Sequence, residues 1–186
     1  MKELSLHILD VAKNSVKAGA TLIGVELRVS KEGILTIIIS DNGCGMSQET
    51  LARVTDPFYT TRTTRRVGLG LPLLRLSAEQ TGGGLEIVST TEEGKSGTVV
   101  TATFDTKSID CMPMGDIVST VCTLISGSPE KDFIFTDSDE RTGREVALDT
   151  RQLKEVLGEG ISLAEPEIQM WMSEYLIEQY ENKTEN

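Results

Sequence analysis

The sequence has few of the features that mark secreted, zinc-bound or membrane proteins. Its 186 residues include only three cysteines, at positions 44, 111 and 122, and no two of them form a CxxC pair. A disulfide framework and a structural zinc site are therefore excluded as organising features. No run of 18 apolar residues occurs, and the first residues lack a basic region followed by an apolar stretch. We therefore expect no membrane span, no signal peptide and a cytoplasmic location.

Basic residues are scarce as well, and their distribution divides the chain. Residues 1–104 carry 11 acidic and 11 basic side chains, whereas residues 105–186 carry 18 and 7, so the formal net charge of -11 comes from the second part. Binding of a nucleic acid backbone needs clustered Lys and Arg, so we expect no nucleic acid partner. The shift predicts a domain over 1–104 and an acidic extension over 105–186. A solvated surface is the simplest explanation of that acidity.

Hydrophobic periodicity predicts a sheet with helices on one face. Apolar residues recur at i+4 spacing in some segments and alternate in others. The predicted helices of the first domain are 4–18, 47–54 and 71–81, and its strands are 21–30, 34–40, 85–90 and 97–104. This order indicates a two-layer α/β sandwich. In the extension we expect helices at 114–126, 150–157 and 165–180 and a hairpin of 132–136 with 145–149, which makes it an α+β unit.

The first helix carries the first candidate site residues. Asp10 and Asn14 are four residues apart and therefore lie about 40° apart around the helix axis. His7 and Lys17 join them on a face opposite the apolar stripe. On spacing alone, a solvated polar face explains all four.

A glycine-containing turn follows the second strand, with the sequence Asp41-Asn-Gly43-Cys-Gly45-Met46. A carboxylate at the end of a buried strand is suited to accept a hydrogen bond from the exocyclic amine of adenine. Gly43 and Gly45 allow the backbone to turn sharply and approach a base. An ordinary Asp-Asn-Gly hairpin turn is the alternative.

The segment after Pro57 is locally basic. No acidic residue occurs between Pro57 and Ala78, while this stretch holds four arginines, at 62, 65, 66 and 75. Thr60 and Thr61 add hydroxyl groups, and glycines at 68 and 70 lead into the helix from Leu71. The free amides and positive dipole end of such a helix suit phosphate oxygens. A flexible basic loop is the alternative.

Taken in order, these segments and Gly97-Thr98 resemble the N, G1, F/G2 and G3 boxes of the Bergerat ATP-binding fold. That superfamily includes gyrase, Hsp90, histidine kinases and MutL-type ATPases. The resemblance implies ATP and Mg²⁺ as ligands. It places Asn14 on the metal, Asp10 at the position of the Glu that orients the attacking water, and Asp41 with Thr98 at the adenine. The other nucleotide-binding positions that it implies are Gly43, Gly45, Met46, Thr60, Thr61, Arg62, Gly68, Leu69, Gly70 and Leu71.

The resemblance covers residues 3–104 and leaves the use of ATP open. Asp10 is one methylene shorter than the Glu of MutL-type and gyrase ATPases, so binding is more firmly implied than hydrolysis. We expect no phosphoacceptor helix before the N box and no transducer domain after the G3 box. Two functions fit: hydrolysis or transfer of the γ-phosphate to a partner protein, as in anti-sigma serine kinases, and an ATP-responsive switch with little catalysis. The extension resembles a group of stand-alone anaerobe ATPases encoded near iron hydrogenase subunits, which implies a redox or regulatory protein partner. The oligomeric state stays open.

Overall fold

The protein, a computed structural model described here over residues 2–55, 70–158 and 160–181, is built on one six-stranded sheet. The strands are β1 (Leu22–Val29), β2 (Ile34–Asp41), β3 (Gly84–Thr90), β4 (Gly97–Asp105), β5 (Asp132–Asp139) and β6 (Arg144–Asp149). The helices are α1 (Leu4–Lys17), α2 (Gln48–Leu51), α3 (Gly70–Gln80), α4 (Ile117–Ser126), α5 (Thr150–Leu157) and α6 (Pro166–Glu181). The predicted α/β architecture is confirmed.

The sheet joins the two compositional halves of the chain. Its strand order is β3-β4-β2-β1-β5-β6. All neighbouring strands are antiparallel except β1 and β5, which run parallel from Leu22 beside Asp132 to Val29 beside Asp139. The hairpin formed by β5 and β6 therefore extends the sheet of the first 104 residues past β1.

One face of the sheet carries the core. Along β1, β2 and β4 buried side chains alternate with more exposed ones, as expected for strands covered on a single side. The inward positions are mainly aliphatic, and α1 and α3 pack over them. Further along, α4 packs beside α1 and α6 packs beside α4 and β6. Within the described ranges, no helix is long and apolar enough to cross a membrane.

His7 does not lie on a solvated face, the alternative that spacing alone offered. Its side chain is only 2% exposed, because α1 contacts α3 and α4 as well as the sheet, which buries a wider arc than one apolar stripe. Burial lowers the pKa of His7, with nearby Asp10 acting in the opposite direction. The imidazole is consequently held in its neutral form.

The acidic hairpin also differs from the sequence-based expectation. We expected Asp137 and Asp139 in the turn between two short strands, but both belong to β5 and point into the protein, at 4% and 3% exposure. The strand is longer because its pairing with β1 continues to Asp139. Ion pairs with Arg144 and Arg141 make the burial of these carboxylates tolerable.

Candidate functional site

The inward face of the sheet changes from apolar to polar at one end. Along β2, Leu35, Ile37 and Ile39 are followed on the same face by Asp41, and the β4 residue paired with Asp41 is Thr98. On β3, the residue paired with Thr98 is Ser89. A cluster of polar side chains at the end of an apolar core is a typical place for a ligand with both polar and apolar parts.

Asp41 is fixed by two donors. The hydroxyl of Ser15, on the buried face of α1, donates to Oδ2 at 2.6 Å. The backbone N–H of Gly43 donates to Oδ1 at 2.9 Å. A carboxylate has about four lone-pair sites, so two remain for a ligand. Its orientation is therefore set before any ligand binds.

The hydroxyls of Ser89 and Thr98 connect the strands to the turn after Asp41. Ser89 Oγ accepts from the backbone N–H of Met46 at 2.8 Å and donates to the carbonyl of Gly97 at 2.9 Å. Since Ser89 has one hydroxyl proton, the 2.8 Å contact with Thr98 Oγ1 is a bond that Thr98 donates. The oxygen of Thr98 keeps lone pairs free to accept a proton from water or ligand.

Glycines let this turn lie directly against the strands. Gly45 has φ +70°, and a Cβ at that position would overlap the carbonyl of Thr90. A Cβ at Gly97, where φ is +153°, would overlap the carbonyl of Asp41. A Cβ at Gly43 would crowd the side chain and carbonyl of Ala18. These neighbours are backbone atoms or the Cβ of Ala18, so a larger residue would open the turn.

Asp10 lies against the first residue of α3. A Cβ added to Gly70 would overlap Asp10 Oδ2, so the absence of a side chain at position 70 is what gives this carboxylate its place. Asn14 is one turn further along α1 and its side chain is exposed. Among the described residues, neither the carboxylate of Asp10 nor the amide of Asn14 has a hydrogen-bond partner. Within the described ranges, both groups are therefore open to a ligand at the start of α3.

The start of α3 supplies the last part of the site within the described ranges. Gly70 and Leu71 are buried, and α3 begins at Gly70. The backbone amides in the first turn of an α-helix lack partners within the helix and suit anionic oxygens. Arg75 is not a free cation, because it pairs with Glu79 at 2.7 Å and donates to Thr55 Oγ1 at 3.1 Å. The candidate phosphate-binding residues Thr60, Thr61, Arg62, Gly68 and Leu69 lie outside the described residues.

The oxygen ligands near α1 suit Mg²⁺ better than a metal ion that is coordinated entirely by protein side chains. Within the described ranges, no group of three or more His, Cys, Asp or Glu side chains is placed to hold a metal ion. Mg²⁺ is usually bound through one or two side-chain oxygens, with water and substrate phosphates completing the shell. The oxygens of Asn14 and Asp10, which have no partner among the described residues, match that pattern, while the turn with its glycines and Asp41 fits a nucleotide base.

Two residues of the site were missed by the sequence analysis. Ser15 and Ser89 both occupy inward positions in otherwise apolar patterns: Ser15 follows Val11 and Ala12 on α1, and Ser89 follows Leu85 and Ile87 on β3. A serine that interrupts an apolar pattern beside a candidate carboxylate is the signal that would have identified them.

Comparison with known proteins gives a family match over the first part of the chain. Residues 2–108, more than half of the chain, match the family described as "Histidine kinase-, DNA gyrase B-, and HSP90-like ATPase". The tetrathionate sensor histidine kinase TtrS of Salmonella typhimurium is 33% identical over 98 residues, which are 52% of this chain and 16% of that protein. Sporulation kinase E of Bacillus subtilis is 34% identical over 99 residues, 53% of this chain and 13% of that protein.

The matched region thus spans a small part of these relatives' own lengths. A putative sensor protein of Shewanella frigidimarina is 30% identical over 95 residues, which are 50% of this chain and 14% of that protein. A solved N-terminal domain of a DNA repair protein has a TM-score of 0.59 at 16% identity, covering 86% of this chain and 58% of that chain. At that identity the likeness concerns the fold, and it extends beyond residue 108.

Proposed function

Because the chain belongs to the histidine kinase-, DNA gyrase B-, and HSP90-like ATPase family, we propose that it binds Mg-ATP and turns it over with Asp10, either by hydrolysis or by transfer of the γ-phosphate to a partner protein. Membership of the family supports ATP binding. The three free cysteines of the described residues agree with a cytoplasmic site of action.

The adenine end of the site is assigned to Asp41 and its neighbours. The carboxylate has lone pairs left for an adenine amine after its bonds to Ser15 and Gly43. The free lone pairs of Thr98 suit the water that accompanies the base. The ribose and phosphates then extend toward the start of α3, where backbone amides favour anionic oxygens.

The observation that carries turnover is the contact of Asp10 with Gly70. It places a carboxylate without a described hydrogen-bond partner at the helix end suited to phosphates. There, Asp10 accepts a proton from the attacking water or hydroxyl group, and Asn14 holds Mg²⁺. The metal, when bound, neutralises phosphate charge and orients its oxygens.

Three variants test the role of Asp10. Asp10→Asn keeps the size of the side chain but removes its basicity, so we expect turnover to fall roughly 10²- to 10⁴-fold with the ATP dissociation constant nearly unchanged. Asp10→Glu lengthens the reach by about 1 Å and is expected to retain or raise turnover. Asp105→Asn, at the far end of β4, is the matched control and leaves turnover unchanged. Equal turnover in wild type and Asp10→Asn, measured as released phosphate, contradicts a general base at this position.

The second candidate function is an ATP-responsive switch, and the exposed face of α6 favours it. Trp171 and Tyr175 stack at 5.0 Å yet are 46% and 39% exposed, and Met170 and Ile177 are exposed on the same helix. A helix that is apolar on several faces is typical of one covered by another protein. Since residues 105–186 carry a net charge of -11, a redox or regulatory partner with a basic, partly apolar segment is the complementary one.

Hydrogen exchange separates the two candidates. A switch predicts that Mg-ATP changes amide exchange in residues 166–181 of the Asp10→Asn variant, in which turnover is blocked. Exchange in α6 that is identical with and without Mg-ATP contradicts the switch and leaves turnover as the function.

A further inference from the structure

A groove lies between α5 and α6 and is also lined by β5 and β6. α5 packs on β5 and α6 packs on β6, while the two helices make little contact with each other within the described ranges. The space has a volume of about 620 Å³. Each helix lines it with apolar residues at helical spacing, which are Leu153, Val156 and Leu157 from α5 and Ile168, Trp171 and Tyr175 from α6.

The apolar side chains of this groove are incompletely covered. Val156 is 84% exposed, and the stacked rings of Trp171 and Tyr175 are exposed as well. Small-molecule pockets bury most of the surface of their ligand, whereas a groove this open would leave much of a small ligand in water. A contiguous exposed apolar surface is typical of a contact with another protein.

The outer edge of β6 is already bonded, which argues against an added strand as the mode of binding. The side-chain amide of Gln179, on α6, bonds both backbone groups of Ala147: its Oε1 accepts from the N–H at 3.0 Å, and its Nε2 donates to the carbonyl at 3.1 Å. Strand addition needs such groups free. An occupant of the groove therefore binds through its side chains, as an amphipathic helix does when its apolar stripe lies in a groove.

The charge around the groove selects a basic occupant. α6 contains four glutamates and no basic residue. Glu167 precedes Trp171 by four residues and Glu174 follows it by three, so both lie on the face of α6 that lines the groove. Neither carboxylate has a partner among the described residues. Both basic side chains of α5 are already paired with aspartates, at 2.7 and 2.8 Å.

This excess of acid disfavours two other occupants. Residues 105–186, which contain the groove, account for the formal net charge of -11. The same face of a second copy would bring like charges together, and an anionic membrane surface would be repelled in the same way. A basic segment of another protein is the complementary occupant.

We infer that this groove docks an amphipathic helix of a partner protein, with an apolar stripe against Trp171 and Val156 and with lysine or arginine side chains beside Glu167 and Glu174. The exposed faces of the aromatic rings also attract such cations. The inference deepens the switch, the second proposed function, and rests on it for any effect of ATP. The docking itself needs only the groove, so it is tested both with and without Mg-ATP.

Trp171 is the single tryptophan of the chain and lines the groove, so its emission reports docking. Three tryptophan-free peptides are the probes for the full chain. The first repeats Leu-Lys-Lys-Leu-Leu-Lys-Leu twice, the second has Glu in place of Lys, and the third has Ser in place of Leu. We expect a saturable shift of the emission to shorter wavelength with the first peptide, and binding at least about tenfold weaker with either of the others.

Three results of this titration overturn the inference. One is the absence of a saturable shift with the first peptide in both conditions. Another is binding of the second or third peptide as tightly as the first. The last is a shift of the emission with protein concentration alone, or with vesicles of anionic phospholipid, which assigns the groove to a second copy or to a membrane.

Charge reversal locates the bound peptide. Glu167→Lys combined with Glu174→Lys is expected to weaken the first peptide at least about tenfold. Glu86→Lys combined with Glu93→Lys makes the same change beside β3, at the opposite edge of the sheet, and is expected to weaken it less than about threefold. All four side chains are exposed, so folding is retained. Equal weakening by the two double variants means that the peptide follows net charge alone and refutes the groove.

A second pair of variants tests the apolar contact. Val156→Ser is expected to weaken the first peptide about threefold or more, while Val88→Ser, an exposed position on β3, leaves its binding unchanged. Equal effects of the two substitutions contradict docking against α5. A peptide affinity that Mg-ATP does not alter, in protein that binds Mg-ATP by calorimetry, contradicts the switch and not the groove.

Discussion

Replacing Asp41 by Asn isolates the recognition of adenine. The substitution keeps the shape of the side chain and removes its charge and one acceptor oxygen. In the protein, Oδ1 accepts from the N–H of Gly43 and Oδ2 from the hydroxyl of Ser15. An asparagine satisfies both neighbours only with its oxygen toward Gly43 and its amide toward Ser15, whose hydroxyl rotates to accept.

The expected loss follows from that orientation. Folding is little affected, because both neighbours keep a partner. The nucleotide loses a charge-assisted hydrogen bond between its amine and the carboxylate, worth about 1.5–3 kcal/mol. At about 1.4 kcal/mol per factor of ten, the dissociation constant for ATP rises roughly 10- to 150-fold. The preference for ATP over GTP falls as well, because an amide donates to the guanine oxygen that a carboxylate repels.

Isothermal titration calorimetry of the wild type, Asp41→Asn and Asp105→Asn with Mg-ATP and Mg-GTP measures these changes. Asp105→Asn is the matched control: Asp105 likewise ends a strand and accepts from the backbone N–H two residues on, at 2.9 Å from Lys107, but lies at the opposite end of the sheet. An ATP affinity within twofold of wild type for Asp41→Asn, or an equal loss for Asp105→Asn, refutes the assignment of the adenine pocket.

Two further substitutions test the parts of the site around α1. Gly70→Ala puts a methyl group where Asp10 Oδ2 lies, so we expect the carboxylate to be displaced and turnover of ATP to fall. Unchanged turnover means that Asp10 does not act from its observed place. His7→Leu removes a buried imidazole with a lowered pKa. The unfolded state binds a proton at His7 below about pH 6.5, whereas the folded state binds it only at lower pH. The free energy of unfolding of the wild type therefore falls below about pH 6.5 by at most about 1.4 kcal/mol per pH unit. In the variant, the free energy of unfolding measured with urea is expected to depend less steeply on pH. The same pH dependence of the free energy of unfolding in wild type and His7→Leu contradicts a buried neutral His7.

The geometry of the candidate site could be predicted from the sequence where its contacts lie close together along the chain. Asp41 and its glycines follow a strand directly, so the turn and the strand end could be inferred together, and the structure places Thr98 opposite Asp41. Ser15 and Ser89 act through contacts 26 and 43 residues away, with Asp41 and Met46, and no local pattern contains those distances.

Longer-range pairing explains the differences in the second half. Parallel pairing of β1 with β5 joins segments more than 100 residues apart, which periodicity within either segment does not reveal. That pairing carries Asp137 and Asp139 into the interior, where the arginines at 141 and 144 balance them. The burial of His7 arises in the same way, from helices packed on both sides of α1.

Titration of the unmodified protein with ATP in the presence of Mg²⁺ is the most direct test of the nucleotide site. Geometry and family predict saturable binding at one site per chain, with a dissociation constant between about 1 μM and 1 mM, as for ordinary nucleotide sites. The absence of saturable binding up to about 10 mM ATP, well above that range, would contradict both the turnover and the switch.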